Sequence, residues 1–117
     1  MPYRGILDEL LAGVPGARTA LLVDAQGEVV VGAGELDERD QLIGAYQGIA
    51  LGMAARTASR FGMGTVDTLI WRHAGGSVIL SALNDGYSVV LSVGPRTPVA
   101  RARHRCEKAR ERLNREI

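Results

Sequence analysis

DQLIGAYQGIALGMAARTASRFGMG, residues 40–64, decides the fold of this chain. On a helix turning 100° per residue, Tyr46, Ile49 and Met53 lie within about 40° of Leu42. That spacing predicts a core stripe packed on a sheet. The other faces are not polar either: Ile43, Leu51, Ala54 and Ala58 occupy different angles, and between Leu42 and Ala55 only Gln47 is frankly polar. A helix apolar all round is buried on more than one side. A second stripe, Gly44, Gly48, Gly52, Ala55 and Ser59, spans about 80° of arc and is made only of small residues. Each interior glycine costs about 0.8–1 kcal/mol relative to alanine, so something outside the helix has to offset the cost. Small residues at i, i+4 and i+8 let another backbone approach closely. A loop of the same chain could use that space. The expectation carried forward is a symmetric homodimer in which two copies of the helix meet along this stripe.

Outward from this helix the boundaries are marked by turn chemistry. Asp37 is a good N-cap, with Glu38 and Asp40 in the first turn, and Phe61-Gly62-Met63-Gly64 ends the helix near Arg60. Upstream, Tyr3, Ile6, Leu7, Leu10 and Leu11 predict a first helix stopped by Gly13 and Pro15-Gly16. Thr19–Asp24 and Glu28–Val31 read as a strand pair around a short turn, with Gly32-Ala33-Gly34 ending the second. Downstream, Thr65–His73, Ser77–Leu83 and Tyr87–Val93 read as three strands separated by Gly75-Gly76 and Asn84-Asp85-Gly86. Pro98 suits the first turn of a last helix, with Thr97 as its cap. Short turns demand antiparallel pairing. The fold class is therefore α+β, ordered α-β-β-α-β-β-β-α, with one five-stranded antiparallel sheet. Its strands are apolar on both pleat faces, so helices are predicted on both sides of the sheet.

The chain has 117 residues, 15 glycines and few aromatics: Tyr3, Tyr46, Phe61, Trp71 and Tyr87. This length predicts a single domain, residues 1–117, and excludes a multidomain enzyme. Cys106 is the only cysteine, so an intrachain disulfide is excluded, and no Cys/His spacing matches a structural zinc site. The first residues read as leading into an amphipathic run and not into the apolar stretch of a secretory leader, and the uncharged run Gln41–Ala55 falls short of the roughly 20 residues that span a bilayer. A cytoplasmic chain without membrane attachment is expected. Charge is unevenly placed. Residues 96–117 carry eight basic and three acidic side chains, +5, and the remainder carries six basic and ten acidic, −4. A basic tail on an acidic body points to a face that meets something.

No catalytic constellation emerges. G-x-x-x-x-G-K-[ST] is absent, His73 and His104 are isolated, one in a strand and one in a charged helix, and no metal or cofactor is expected. Cys106 lies on the stripe Val99, Ala102, Cys106, Ala109, Leu113 and reads as a small core residue. Arg56 and Arg60 fit the negative end of the helix dipole, and also the role of an arginine supplied in trans to a GTPase. In the last helix Arg101, Arg105, Lys108, Arg112 and Arg115 line one face, predicted to lie opposite the apolar stripe. That face reads as a solvated surface or as a docking surface for an acidic partner. Nucleic acid is disfavoured because no aromatic platform accompanies it.

Taken together, "ILDELLAGVPGARTALLVDAQGEVV", the long small-residue helix, "VDTLIWRHAGGSVILSALNDGYSVVLSVG" and the closing charged helix resemble the roadblock family of dynein light chains and bacterial small-GTPase regulators. The resemblance covers the whole chain and rests on element order and the two hairpins. It implies a profilin-like or longin-like unit in which two copies join edge strands, with their long helices side by side. It also implies, as in MglB-like members, a non-enzymatic dimer that binds a Ras-like small GTPase by its surface and modulates hydrolysis. An adaptor that assembles polarity or signalling proteins without affecting hydrolysis is the alternative, and a longin-like ligand sensor a third. On the family pattern Thr65–His73 would form the dimer edge, with Leu69 and Trp71 joining Gly44, Gly48, Gly52, Ala55 and Ser59 in the interface. Arg39, Gln47, Ala54 and Ala58 would face the partner, with Arg101, Arg105, Lys108 and Arg112 as a further partner surface. A heteromeric roadblock subunit is a further expected partner.

Overall fold

Eight main elements follow in the predicted order: α1 (Pro2–Ala12), β1 (Ala17–Val23), β2 (Val29–Gly34), α2 (Glu38–Arg60), β3 (Thr68–His73), β4 (Gly76–Ala82), β5 (Ser88–Val93) and α3 (Val99–Glu116). The computed structural model describes residues 2–117, apart from the side chain of Gln41. The strands form one sheet in the order β2-β1-β5-β4-β3, and every neighbouring pair is antiparallel. The edges are therefore β2 and β3.

Alternation along the strands divides the core into two layers. Ala20, Leu22, Ile79, Val89 and Leu91 face one side, where Ile6, Leu7 and Leu10 of α1 and Ala102, Cys106, Ala109 and Leu113 of α3 cover them. Leu21, Val23, Val78, Leu80 and Val90 face the other side and meet Leu51 of α2. Each such leucine or valine contributes about 1.5–3 kcal/mol by leaving water. Cover on both sheet faces agrees with strands apolar on both faces.

Local chemistry explains the boundaries. Asp37 accepts the Asp40 backbone N–H at 2.9 Å, and the Asp40 carboxylate accepts the Asp37 N–H at 3.2 Å, which makes a capping box. The Asp40 backbone N–H holds the Asp37 carboxyl below the usual carboxylate range. The predicted N-cap of the last helix differs. The Thr97 hydroxyl donates to the Pro15 carbonyl at 2.8 Å, tying the start of α3 to the α1–β1 turn, and Pro98 takes the cap position without a side-chain bond. β2 continues through Gly32-Ala33-Gly34, because Gly32 leaves room for Leu36 and Leu21: a Cβ there would lie 2.6 Å from Leu36 Cδ2. β3 starts at Thr68 and not Thr65: Gly62 and Gly64 both take positive φ, which breaks an extended path, and residues 63–67 form no regular structure. Arg110 closes this region. Its Nε donates to the Ala82 carbonyl at 2.7 Å, Nη1 to Glu107 at 2.9 Å, and Nη2 lies 3.5 Å from Asp67.

Candidate functional site

The surface of interest is built on α2, and its orientation reverses one expectation. Gly44 is buried against the chain's own sheet: a Cβ there would stand 2.8 Å from Leu21 Cδ1, with Val29 and Val23 next. Gly48 lies over the β1–β2 turn, where a Cβ would come 3.6 Å from Gly27 Cα. The absent side chains let the helix settle close to β1 and its turn, within one molecule. Neither glycine is therefore free to receive a second helix. Leu42, Tyr46, Ile49 and Met53, predicted to pack on the sheet, instead point away from it and are between 57 and 66 % exposed. The reason is volume. Leu21, Val23 and Val29 already fill the space beneath α2, which leaves room for a helix backbone but not for another layer of large side chains.

The lower half of the small-residue stripe stays at the surface. Ala55 and Ser59 are exposed, and a Cβ on Gly52 would meet only Arg56 Nη1, at 3.4 Å. Ala55 and Ser59 line a groove with Gly64, Thr65, Asp67 and Arg110. Of the residues expected to face a partner, Arg39 is exposed and Ala54 half-buried, whereas Gln47 and Ala58 are buried beneath the helix. Both lie on the Leu51 side of α2, so neither is available to a partner in this arrangement.

Gln47 has a different task. Its Oε1 accepts from Trp71 Nε1 at 2.7 Å, bridging α2 to edge strand β3. The Trp71 ring is tilted against His73, with centroids 5.2 Å apart. The contact was missed in the sequence, although a signal existed: the one frankly polar residue within an apolar helix needs a partner, and an indole offers a single donor. Because α2 packs chiefly over β1, the β3 side of this sheet face is less covered. Leu69 is half-buried there and Trp71 exposed. Arg56 and Arg60 are exposed and share a groove with Met53, Thr57 and Phe61.

The other residues expected to face a partner lie across the sheet from this surface. Arg101, Arg105 and Lys108 are exposed on α3, and Arg112 pairs with Glu9 of α1. Arg105 leans over Gly13, and Lys108, Arg112, Ile6 and Glu9 line one cleft. The basic stripe therefore runs along the α1–α3 seam, not opposite the buried face as expected. Cys106 is fully buried, and burial pushes its thiol up to about 12. Among the described residues, no three of His, Cys, Asp and Glu are placed to hold a metal, and no helix is long and apolar enough to cross a membrane.

This two-sided arrangement can be set beside known proteins. The Roadblock/LC7 domain model matches residues 4–92, from α1 into β5. The chain belongs to the Roadblock/LC7 family. Solved roadblock structures extend the likeness over α3. MglB of Myxococcus xanthus superposes with a TM-score of 0.88 at 19% identity, covering 98% of this chain and 94% of that one. A Roadblock/LC7 domain from Streptomyces avermitilis gives 0.85 at 18% identity, covering 97% and 95%. MglC of M. xanthus gives 0.71 at 16%, covering all of both chains. At these identities the likeness concerns the fold. No curated protein sequence matches the chain.

Proposed function

We propose that this roadblock chain is a non-enzymatic regulator of a Ras-like small GTPase, working as a homodimer whose paired α2 helices form the binding platform. One observation carries the reading: four large apolar side chains, one per turn, stand on the side of α2 that faces away from its own sheet. Scattered exposed apolar residues are ordinary, but an aligned stripe marks an interaction surface. Pairing two copies through β3 would continue the sheet, cover Leu69 and Trp71, and bring the two α2 helices alongside each other. Ala54, Gly52, Ala55 and Ser59 would then border the junction, and the stripes would form one apolar surface flanked by Arg39, Arg56 and Arg60. Binding there would favour one GTPase conformation, a population shift that asks no chemistry of this chain. The family and the likeness to MglB and MglC support this regulatory reading.

The experiment has two readouts. Sedimentation equilibrium of the full chain at high salt should give twice the monomer mass. A purified Ras-like GTPase should bind, with a changed rate of GTP hydrolysis, and Tyr46→Glu/Ile49→Glu should abolish that binding. Unchanged hydrolysis in a formed complex would favour the adaptor, assembling partners without affecting turnover. If hydrolysis is stimulated, the surface mechanism requires that Arg56→Ala/Arg60→Ala retain the stimulation.

A further inference from the structure

Arg101, Arg105, Lys108, Arg112 and Arg115 stand about one per turn along roughly 21 Å of α3. Among the described residues, only Arg112 of these has a carboxylate within 4.0 Å, that of Glu9. The complementary charge lies elsewhere in the same chain. Residues 24–40 hold Asp24, Glu28, Glu35, Asp37, Glu38 and Asp40 against the single cation Arg39. Several of these acids are engaged: Glu35 with Arg18, Asp24 with two backbone N–H groups of its turn, Asp37 and Asp40 with each other's backbone. Glu28 and Glu38 have no cation within 4.0 Å among the described residues, and they share an open groove of about 550 Å³ with Gly27, Val29 and Leu42. Such a lining suits a lysine or arginine, whose stem lies on apolar surface while its head meets carboxylate. The sheet separates the two patches, since the basic stripe rides on the α1–α3 layer and Glu38 on α2. They cannot meet within one molecule.

We propose that the basic stripe of one molecule docks into the Glu28–Glu38 groove of another copy. The two patches differ, so the contact is heterologous: each molecule keeps a free stripe and a free groove, and assembly proceeds beyond the first pair. Being built from exposed charges, it is strengthened at low ionic strength and screened at high. Of the outer stripe of α2 it touches only Leu42, at the helix start, and it leaves Tyr46, Ile49, Met53 and the β3 edge free, so its loss can be separated from loss of the dimer proposed above.

Sedimentation of the full chain at about 0.05 M and about 0.5 M salt tests it. The mass-average at low salt should be at least twice that at high salt and should rise with concentration. Arg101→Glu/Lys108→Glu and Glu28→Lys/Glu38→Lys should each remove that increment, and mixing the two variants should restore it, because each then supplies the patch the other lacks. The high-salt mass reports separately on the dimer. No salt-dependent increment in the wild type, survival of the increment in both variants, or failure of the mixture would overturn the proposal. So would a wild-type chain that stays at its high-salt mass while binding duplex DNA through Arg101 and Lys108.

Discussion

At the scale of single residues, two glycines on one helix should respond oppositely to substitution. Gly44 is wedged against Leu21, so Gly44→Leu should overpack the α2–sheet contact and destabilise the fold by about 1–3 kcal/mol. Gly52 has only the mobile end of Arg56 nearby, so Gly52→Ala should stabilise by about 0.5–1 kcal/mol through helix propensity alone. Urea unfolding at high salt measures both. Cys106 provides a pH readout. Its folded thiol titrates at about 12, above the unfolded value near 8.5, so between the two the folded chain keeps a proton that the unfolded chain releases. This contribution is complete below about pH 8.5 and declines as pH rises towards 12. Removing the thiol by Cys106→Ala should flatten the alkaline limb of the stability curve. Alkylation of Cys106 near pH 8 should proceed only as fast as the chain opens.

At the scale of the element, α2 shows what a sequence states and what it withholds. Its ends were legible because Asp37, Asp40 and the glycines after Arg60 carry local backbone chemistry. Its orientation was not. A helix with two apolar faces says that both are covered, but which one meets the sheet depends on the volume left by Leu21, Val23 and Val29, residues read separately on distant strands. The family pattern places Gln47 at a partner surface, whereas its side chain turns inward to a partner 24 positions away on β3, a contact that depends on the same packing. The outward stripe should be separable from the fold. Ile49→Glu should change the unfolding free energy of the isolated chain by no more than about 0.5 kcal/mol, because the side chain is more than half exposed. Gln47→Leu should instead cost about 1 kcal/mol by leaving the Trp71 indole unpaired. Chemical denaturation under conditions that dissociate any assembly distinguishes the two.

At the scale of the whole molecule, the strand order predicts a gradient of stability. β1, β5 and β4 are hydrogen-bonded on both sides, while β2 and β3 each have one free edge. Amide exchange should be slowest in β1, β5 and β4 and faster in both edges. Raising the concentration until the proposed dimer forms should protect β3 and leave β2 unchanged. Equal protection of both edges would contradict pairing through β3. The element order along the chain was readable from turn residues and apolar runs, but the order within the sheet, and with it this gradient, was not, because β1 pairs with β5 across most of the sequence. The separation of the Arg101–Arg112 stripe from the outer face of α2 was not, since charge along a chain says nothing about which layer a helix joins.

The bond between Trp71 and Gln47 also equips the molecule with its own optical probe. Trp71 is the sole tryptophan, so indole fluorescence comes from one site, held between the long helix and a free strand edge. In the isolated chain Trp71 is 38 % exposed, and its emission should lie towards the red, quenched by water. Covering that edge with a second copy should shift the emission to the blue without any attached dye. Association at β3 can then be followed by dilution in a cuvette, in unmodified protein and in real time.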